Sequence, residues 1–125
     1  MLSGGAVLLS AGAAAAENWF PFFVIPNGVV YLDHDSVVRR SGHVSARLES
    51  TFPAPQRISR NGQVFAYVKT IDLVDIDCKA EVYKNVSRDL YTGDGAMALS
   101  INESDNPLRI PPKSAQAALI TAYCG

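Results

Sequence analysis

The sequence predicts an α+β fold, an antiparallel sheet of about six strands with one short helix at the C-terminus. Three observations predict it. Apolar and polar residues alternate in runs along most of the chain between Trp19 and Asn102, the period of a strand with one buried and one wet face. The breaks between these runs are short and hold Ser41-Gly42, Asn61-Gly62 and "TGDGA", which suits antiparallel neighbours. A single apolar segment of helical character, "SAQAALITAYC", comes last, and one helix can cover one face of a sheet.

The 125 residues fit one domain. Residues 1–16, "MLSGGAVLLSAGAAAA", carry no charge and no aromatic ring. Leu8 and Leu9 centre an apolar stretch, and Ala14 and Ala16 supply small residues just before Glu17, the pattern of a secretory signal peptide. The n-region is truncated, with no Lys or Arg ahead of the stretch, as a start codon assigned too late would leave it. The alternatives are an N-terminal helix of the mature protein and a membrane anchor. Against the anchor, about 12 apolar residues fall short of the ~20 that a bilayer requires. No Cys stands at the cleavage point to take a lipid. The expected mature domain is residues 17–125, large enough for one modest core that gains from a cross-bridge.

Taken in order, "ENWFPFFVIPN" is expected to be an edge strand, because Pro21 and Pro26 cannot serve a central ladder. Trp19, the only tryptophan, is expected in the core. A hairpin follows, with a first arm from Val29 to Arg40, a turn at Ser41-Gly42, and a second arm in which Val44, Ala46 and Leu48 alternate with His43, Ser45, Arg47 and Glu49. "PAPQRISRNGQ" is expected to be a loop with a turn at Asn61-Gly62. "QVFAYVKTIDL" is apolar on both faces and is expected to be central. Next comes a strand through "VDIDCKAEVYKNV", extended by "SRDLYT". The turn "TGDGA" leads to "AMALSIN", with Met97, Leu99 and Ile101 on one side. Pro111 and Pro112 stop the preceding segment, and Ser114 caps a helix over Ala115–Tyr123. Gln116, Ala117, Ile120 and Cys124 are expected on its inner stripe, with Leu119 and Tyr123 on the shoulder.

The chain has two cysteines, Cys78 and Cys124. The alternation puts Cys78 on the buried side of its strand with Ile76, Ala80 and Val82, and Cys124 ends the helix stripe. Two cysteines in an exported chain point to one disulfide. It would pin a helix too short to be stable alone, removing roughly 4 kcal/mol of unfolded-chain entropy. The alternatives are free thiols and a zinc site with His34 and His43, for which CxxC or HxxxH spacing is missing.

Charge is uneven. Between Ser36 and Ile71, Arg39, Arg40, Arg47, Arg57, Arg60 and Lys69 face only Glu49. Between Asp72 and Asp105, eight acids face Lys79, Lys84 and Arg88. The plain reading is two solvated faces attracting each other across strands. The functional reading is a binding patch of Arg39, Arg40, Arg47, Arg57 and Arg60 for an acidic protein segment or polyanion. The overall balance of −1 argues against nucleic acid. No catalytic set is expected. Asp33-His34-Asp35 are adjacent and converge poorly. Asp72, Asp75 and Asp77 lack a calcium-loop spacing, and no GxSxG elbow or phosphate loop occurs. No metal or cofactor is expected.

The order of Trp19, "YLDHDSVVRRSG", "VDIDCKAEVY", "YTGDG" and "IPPKSAQAALITAYC" resembles the surface-adhesin protein E-like family of bacterial exported proteins. The matching positions are Tyr31, Asp33, Ser36 and Arg39; Asp75, Asp77 and Cys78; Tyr91 and Gly95; and Pro112, Ser114 and Cys124. The resemblance implies a curved sheet with the helix on its concave face, tied there by the cysteine pair. It makes Asp33 and Ser36 structural, fixing a bend through side-chain to backbone bonds. It implies an exported envelope protein, periplasmic or on the cell surface, that binds proteins, host or matrix proteins included, and is not an enzyme. The other reading is a periplasmic accessory or inhibitor-like module whose partner is another envelope protein. Neither reading includes stable membrane insertion after signal removal.

Overall fold

A computed structural model describes residues 18–102 and 106–125; the expected signal peptide lies outside the described residues. The elements are β1 (Trp19–Ile25), β2 (Gly28–Asp33), a 3-10 turn (His34–Ser36), β3 (Val38–Arg40), β4 (His43–Arg60), β5 (Gln63–Asp77), β6 (Val82–Tyr91), β7 (Met97–Asn102), β8 (Leu108–Arg109) and α1 (Ala115–Tyr123). They form one antiparallel sheet of eight strands, not about six, in the order β1-β2-β4-β5-β6-β7. The two extra strands are the short β3, against β4, and β8, against β6. Neither is long enough to show a period in sequence.

The alternation read from the sequence sorts the sheet into two faces. Val44, Ala46 and Leu48 of β4, Val74 and Ile76 of β5, and Val30 and Leu32 of β2 make one buried face. Helix α1 covers it with Ala115 and Leu119. Leu32, Ile76 and Leu119 are fully buried, each contributing about 1.5–3 kcal/mol by area removed from water. Ser114 caps α1 as expected, its Oγ accepting from the Ala117 N–H at 3.1 Å. The inner stripe is centred on Ala115 and Leu119, however, and Gln116, Ala117 and Ile120 are only half-buried.

β1 is an edge strand as expected, with a register break at Pro21/Phe23. Several other expectations change. Trp19 lies away from the helix-side core, opposite Asp33. The first hairpin arm is broken by the 3-10 turn at His34–Ser36. The "PAPQ" segment is not a loop, because β4 runs through Pro53 and Pro55 to Arg60, absorbing them at an irregularity between Thr51 and Gln56. The prolines are tolerated because no strand other than β5 pairs there among the described residues. The strand expected across Cys78 is two strands. β5 ends at Asp77, residues 78–81 turn, and β6 starts at Val82. The alternation of apolar and polar residues continued through that turn and hid it.

Backbone geometry explains the tight turns. Ser41 and Gly42 have φ of 51° and 79°, and Asn61 and Gly62 have 53° and 77°. Both pairs are left-handed, the two-residue turn whose twist matches antiparallel strands. Gly28 is required for a different reason. A Cβ there would stand 2.2 Å from the Thr51 carbonyl oxygen across the β2–β4 ladder.

Candidate functional site

The cysteines are joined, Cys78 in the β5–β6 turn to Cys124 at the end of α1, with Cα atoms 5.6 Å apart. Around the bridge the backbone closes tightly. The Cys78 N–H donates to the Gly42 carbonyl at 2.9 Å, and Arg39 Nη1 donates to the Tyr123 carbonyl at 3.3 Å. Asp77 builds the turn by accepting from the Lys79 and Ala80 N–H groups, both at 3.0 Å. The Ala80 N–H above all, with the Lys79 N–H and the nearby His43 and Lys79 charges, holds the Asp77 carboxyl below the usual carboxylate value.

On the face away from the helix, His43 Nδ1 lies 3.1 Å from Asp75 Oδ2, and its Nε2 lies 3.9 Å from Asp77 Oδ2. Two shallow depressions flank this histidine. One, of about 370 Å³, is lined by Val38, Arg40, Ser41, Ser45 and Asp75 as well as His43. The other, of about 250 Å³, adds Tyr83, Lys84 and Pro107. Asp75 accepts the histidine hydrogen bond and fixes the ring across the β4–β5 ladder. Asp72, Asp75 and Asp77 do not form a calcium cluster. Asp72 is buried on the helix side and holds Arg88 through two hydrogen bonds, 2.8 and 3.0 Å, whereas Asp75 and Asp77 are on the other face. Among the described residues no group of three or more His, Cys, Asp or Glu side chains could hold a metal ion.

The five arginines are dispersed. Cross-strand partners share a face. Arg39 opposite Val44 and Arg57 opposite Ala66 are on the helix side; Arg40 opposite His43, Arg47 opposite Leu73 and Arg60 opposite Gln63 are on the other. Strand β4 separates the Arg40 end from the Arg60 end by roughly 50 Å. Arg47 is occupied structurally. Its guanidinium lies 5.3 Å over the Trp19 ring and 3.4 Å from Asp33 Oδ2. Asp33 and Ser36 fix the 3-10 bend. Asp33 Oδ1 accepts from the Asn18 and Asp35 N–H groups at 3.1 and 3.2 Å. Ser36 Oγ donates to the Asp33 carbonyl at 2.7 Å and accepts from the Arg47 N–H at 2.8 Å. Arg39 and Arg40 remain together, exposed on β3 beside a hollow that also touches Cys78, Tyr123 and Cys124. Arg57 and Arg60 remain together at the far end of the β4–β5 hairpin.

Sequence reasoning missed this distal hairpin. The Asn61-Gly62 turn was its signal, and the prolines before it masked the strand.

Comparison with known proteins bears on both ends. A family model described as surface-adhesin protein E matches residues 19–125, which takes in the whole sheet, the helix and both cysteines. Among solved structures, the selenomethionine form of protein E from Haemophilus influenzae is similar, at 13% identity and a TM-score of 0.56, over 86% of this chain and 93% of that one. That likeness is one of fold. No curated protein matches the chain.

Proposed function

Because the chain belongs to the surface-adhesin protein E family, which implies an exported cell-surface protein with adhesin-type protein binding, we propose that it is a bacterial envelope protein whose partners include host or matrix proteins and that it performs no catalysis. The observation that carries this reading is the family match over residues 19–125. In support, several titratable groups serve the structure, with His43 on Asp75, Arg88 on Asp72, Arg47 on Asp33 and Asp77 on its own turn. No helix of the described residues is long and apolar enough to cross a membrane. In this reading residues 1–16 are the signal that exports the chain, the mature domain is 17–125, and the sheet curves around α1 with the disulfide holding the helix in its concave face.

Within this reading Arg39 and Arg40, exposed on opposite faces of the short edge strand β3, offer that edge to acidic partners. The test is a binding assay of the purified mature domain against immobilised matrix proteins and heparin, with surface labelling of intact cells. Saturable binding that falls in an Arg39→Ala/Arg40→Ala variant is expected. Wild-type binding by that variant removes the β3 patch, and absence of binding to any matrix or surface protein contradicts the proposal.

A further inference from the structure

The β4–β5 hairpin outruns the sheet that carries it. On its β4 side the partner strand β2 ends with Val29 opposite Thr51. On its β5 side the partner strand β6 ends with Tyr91 opposite Lys69. Two turns reach slightly further. Asn27 Nδ2 donates to Gln56 Oε1 at 3.2 Å, and Thr92 and Gly93 share a small hollow with Pro55 and residues 66–68. From the rim of that hollow outward, the pairs Arg57–Ala66, Ile58–Phe65, Ser59–Val64 and Arg60–Gln63 form a two-stranded arm, roughly 13 Å of ribbon plus its turn. Among the described residues no third strand pairs with it.

Three properties of this arm point to one kind of partner. The first is its charge. From Ser50 to Ile71 there is no Asp or Glu, while Arg57, Arg60 and Lys69 are present. Lys69 is engaged with Glu49 and Tyr91, but Arg57 and Arg60 are exposed and enter no ion pair among the described residues. The second is its side chains. Ile58 and Phe65 are cross-strand partners, half-exposed and outside the core cluster of the described residues, and Val64 is 58% exposed. The third is its backbone. With Arg60 and Gln63 closing a two-residue turn, the hydrogen-bonded pairs are Arg60–Gln63 and Ile58–Phe65, so Val64 and Ala66 aim their N–H and C=O groups outward. Open edges are normally blunted by proline, charge or cover. The β4 edge has Pro53 and Pro55 near the arm's base, and residues 63–66 of β5 have no such block.

From these we propose that the arm is a strand-addition site, in which the β5 edge at Val64–Ala66 pairs with an extended, acidic polypeptide segment of alternating apolar residues. Backbone pairing supplies affinity, Phe65 and Val64 take the apolar side chains, and Arg57 and Arg60 select for carboxylates. A polyanion or an anionic lipid surface would use the arginines but has no use for an outward row of amide groups. The inference rests on the protein-binding reading above and names one partner chemistry for it.

The test uses a fluorescent nonapeptide alternating glutamate with valine, titrated with the full mature domain and followed by anisotropy. Saturable binding is expected, weakened by added salt and reduced about tenfold or more in Arg57→Glu/Arg60→Glu. Circular dichroism and the thermal midpoint of that variant check that its fold is intact. The same peptide methylated on alternate backbone nitrogens of one edge is expected not to bind, and neither is a lysine–valine peptide. Equal binding of the methylated peptide, unchanged binding by the variant, or binding only to heparin or to phosphatidylglycerol vesicles overturns the strand-addition site. If the peptide fails while the domain still binds immobilised matrix proteins, the arm inference falls and the protein-binding reading stands. If both fail, both fall.

Discussion

The two ends of the long β4–β5 hairpin are built by opposite means. At the proximal end, β4 and β5 have strands on both sides, a helix across one face and a covalent bridge from Cys78 to Cys124. At the distal end, among the described residues, the same two strands pair only with each other beyond residue 56. An isolated hairpin is marginal in water, so the arm persists because the anchored part of its own strands holds it in register. The difference shows how one ladder can serve as framework at one end and as exposed recognition surface at the other. It also places the arginines apart, with Arg39 and Arg40 at the framework end and Arg57 and Arg60 on the arm.

The comparison breaks most sharply at the bridge. Cys78→Ser/Cys124→Ser frees a loop closed over a sequence separation of 46 residues, and the variant should lose about 4 kcal/mol of unfolding free energy in denaturant titration. The arm has no part in that loss, so acidic-peptide affinity of the fraction that stays folded should match wild type. Leu119 is fully buried between helix and sheet, and Leu119→Ala should cost about 2–5 kcal/mol. Gly28→Ala drives a Cβ into the Thr51 carbonyl at the base of the arm; a loss of about 1–3 kcal/mol is expected, seen as a lower midpoint at constant denaturant slope. Ile58→Ala, by contrast, removes a side chain outside the core cluster of the described residues and should cost less than about 1 kcal/mol. A value near that of Leu119→Ala would mean the arm is packed, not open.

The smallest effect concerns acid. The folded state holds the Asp77 carboxyl below its unfolded value of about 4. Its contribution is therefore complete above that value and lost as pH falls through the lowered folded value. Wild type should lose stability more steeply than Asp77→Asn on acidification below about pH 4, which urea midpoints at a series of pH values would read.

Much of the framework end was legible in the sequence because its signals are local. Ser41-Gly42 requires left-handed backbone, Ser114 comes just after a proline pair, and the alternation of Val44, Ala46 and Leu48 sets a face. What the sequence hid depends on pairing. Ile76 and Val82 keep the same phase across the Cys78 turn, so the period of two ran on unbroken. Pro53 and Pro55 look like a loop until it is known that the strand's outer side is unpartnered. That Arg57 faces opposite to Arg47 follows from the β4 irregularity between Thr51 and Gln56, which no composition reveals. His43 meets Asp75 and Asp77 only through the β4–β5 register.

Native-state hydrogen exchange on the oxidised mature domain tests the contrast between the ends most directly. Ladder amides of Val44–Leu48 and Asp72–Ile76 should exchange only through global opening. The paired amides of Ile58, Arg60, Gln63 and Phe65 should exchange faster by about two orders of magnitude. Reducing the disulfide should speed the first group and leave the second nearly unchanged. Arm amides as strongly protected as those under the helix would contradict the account.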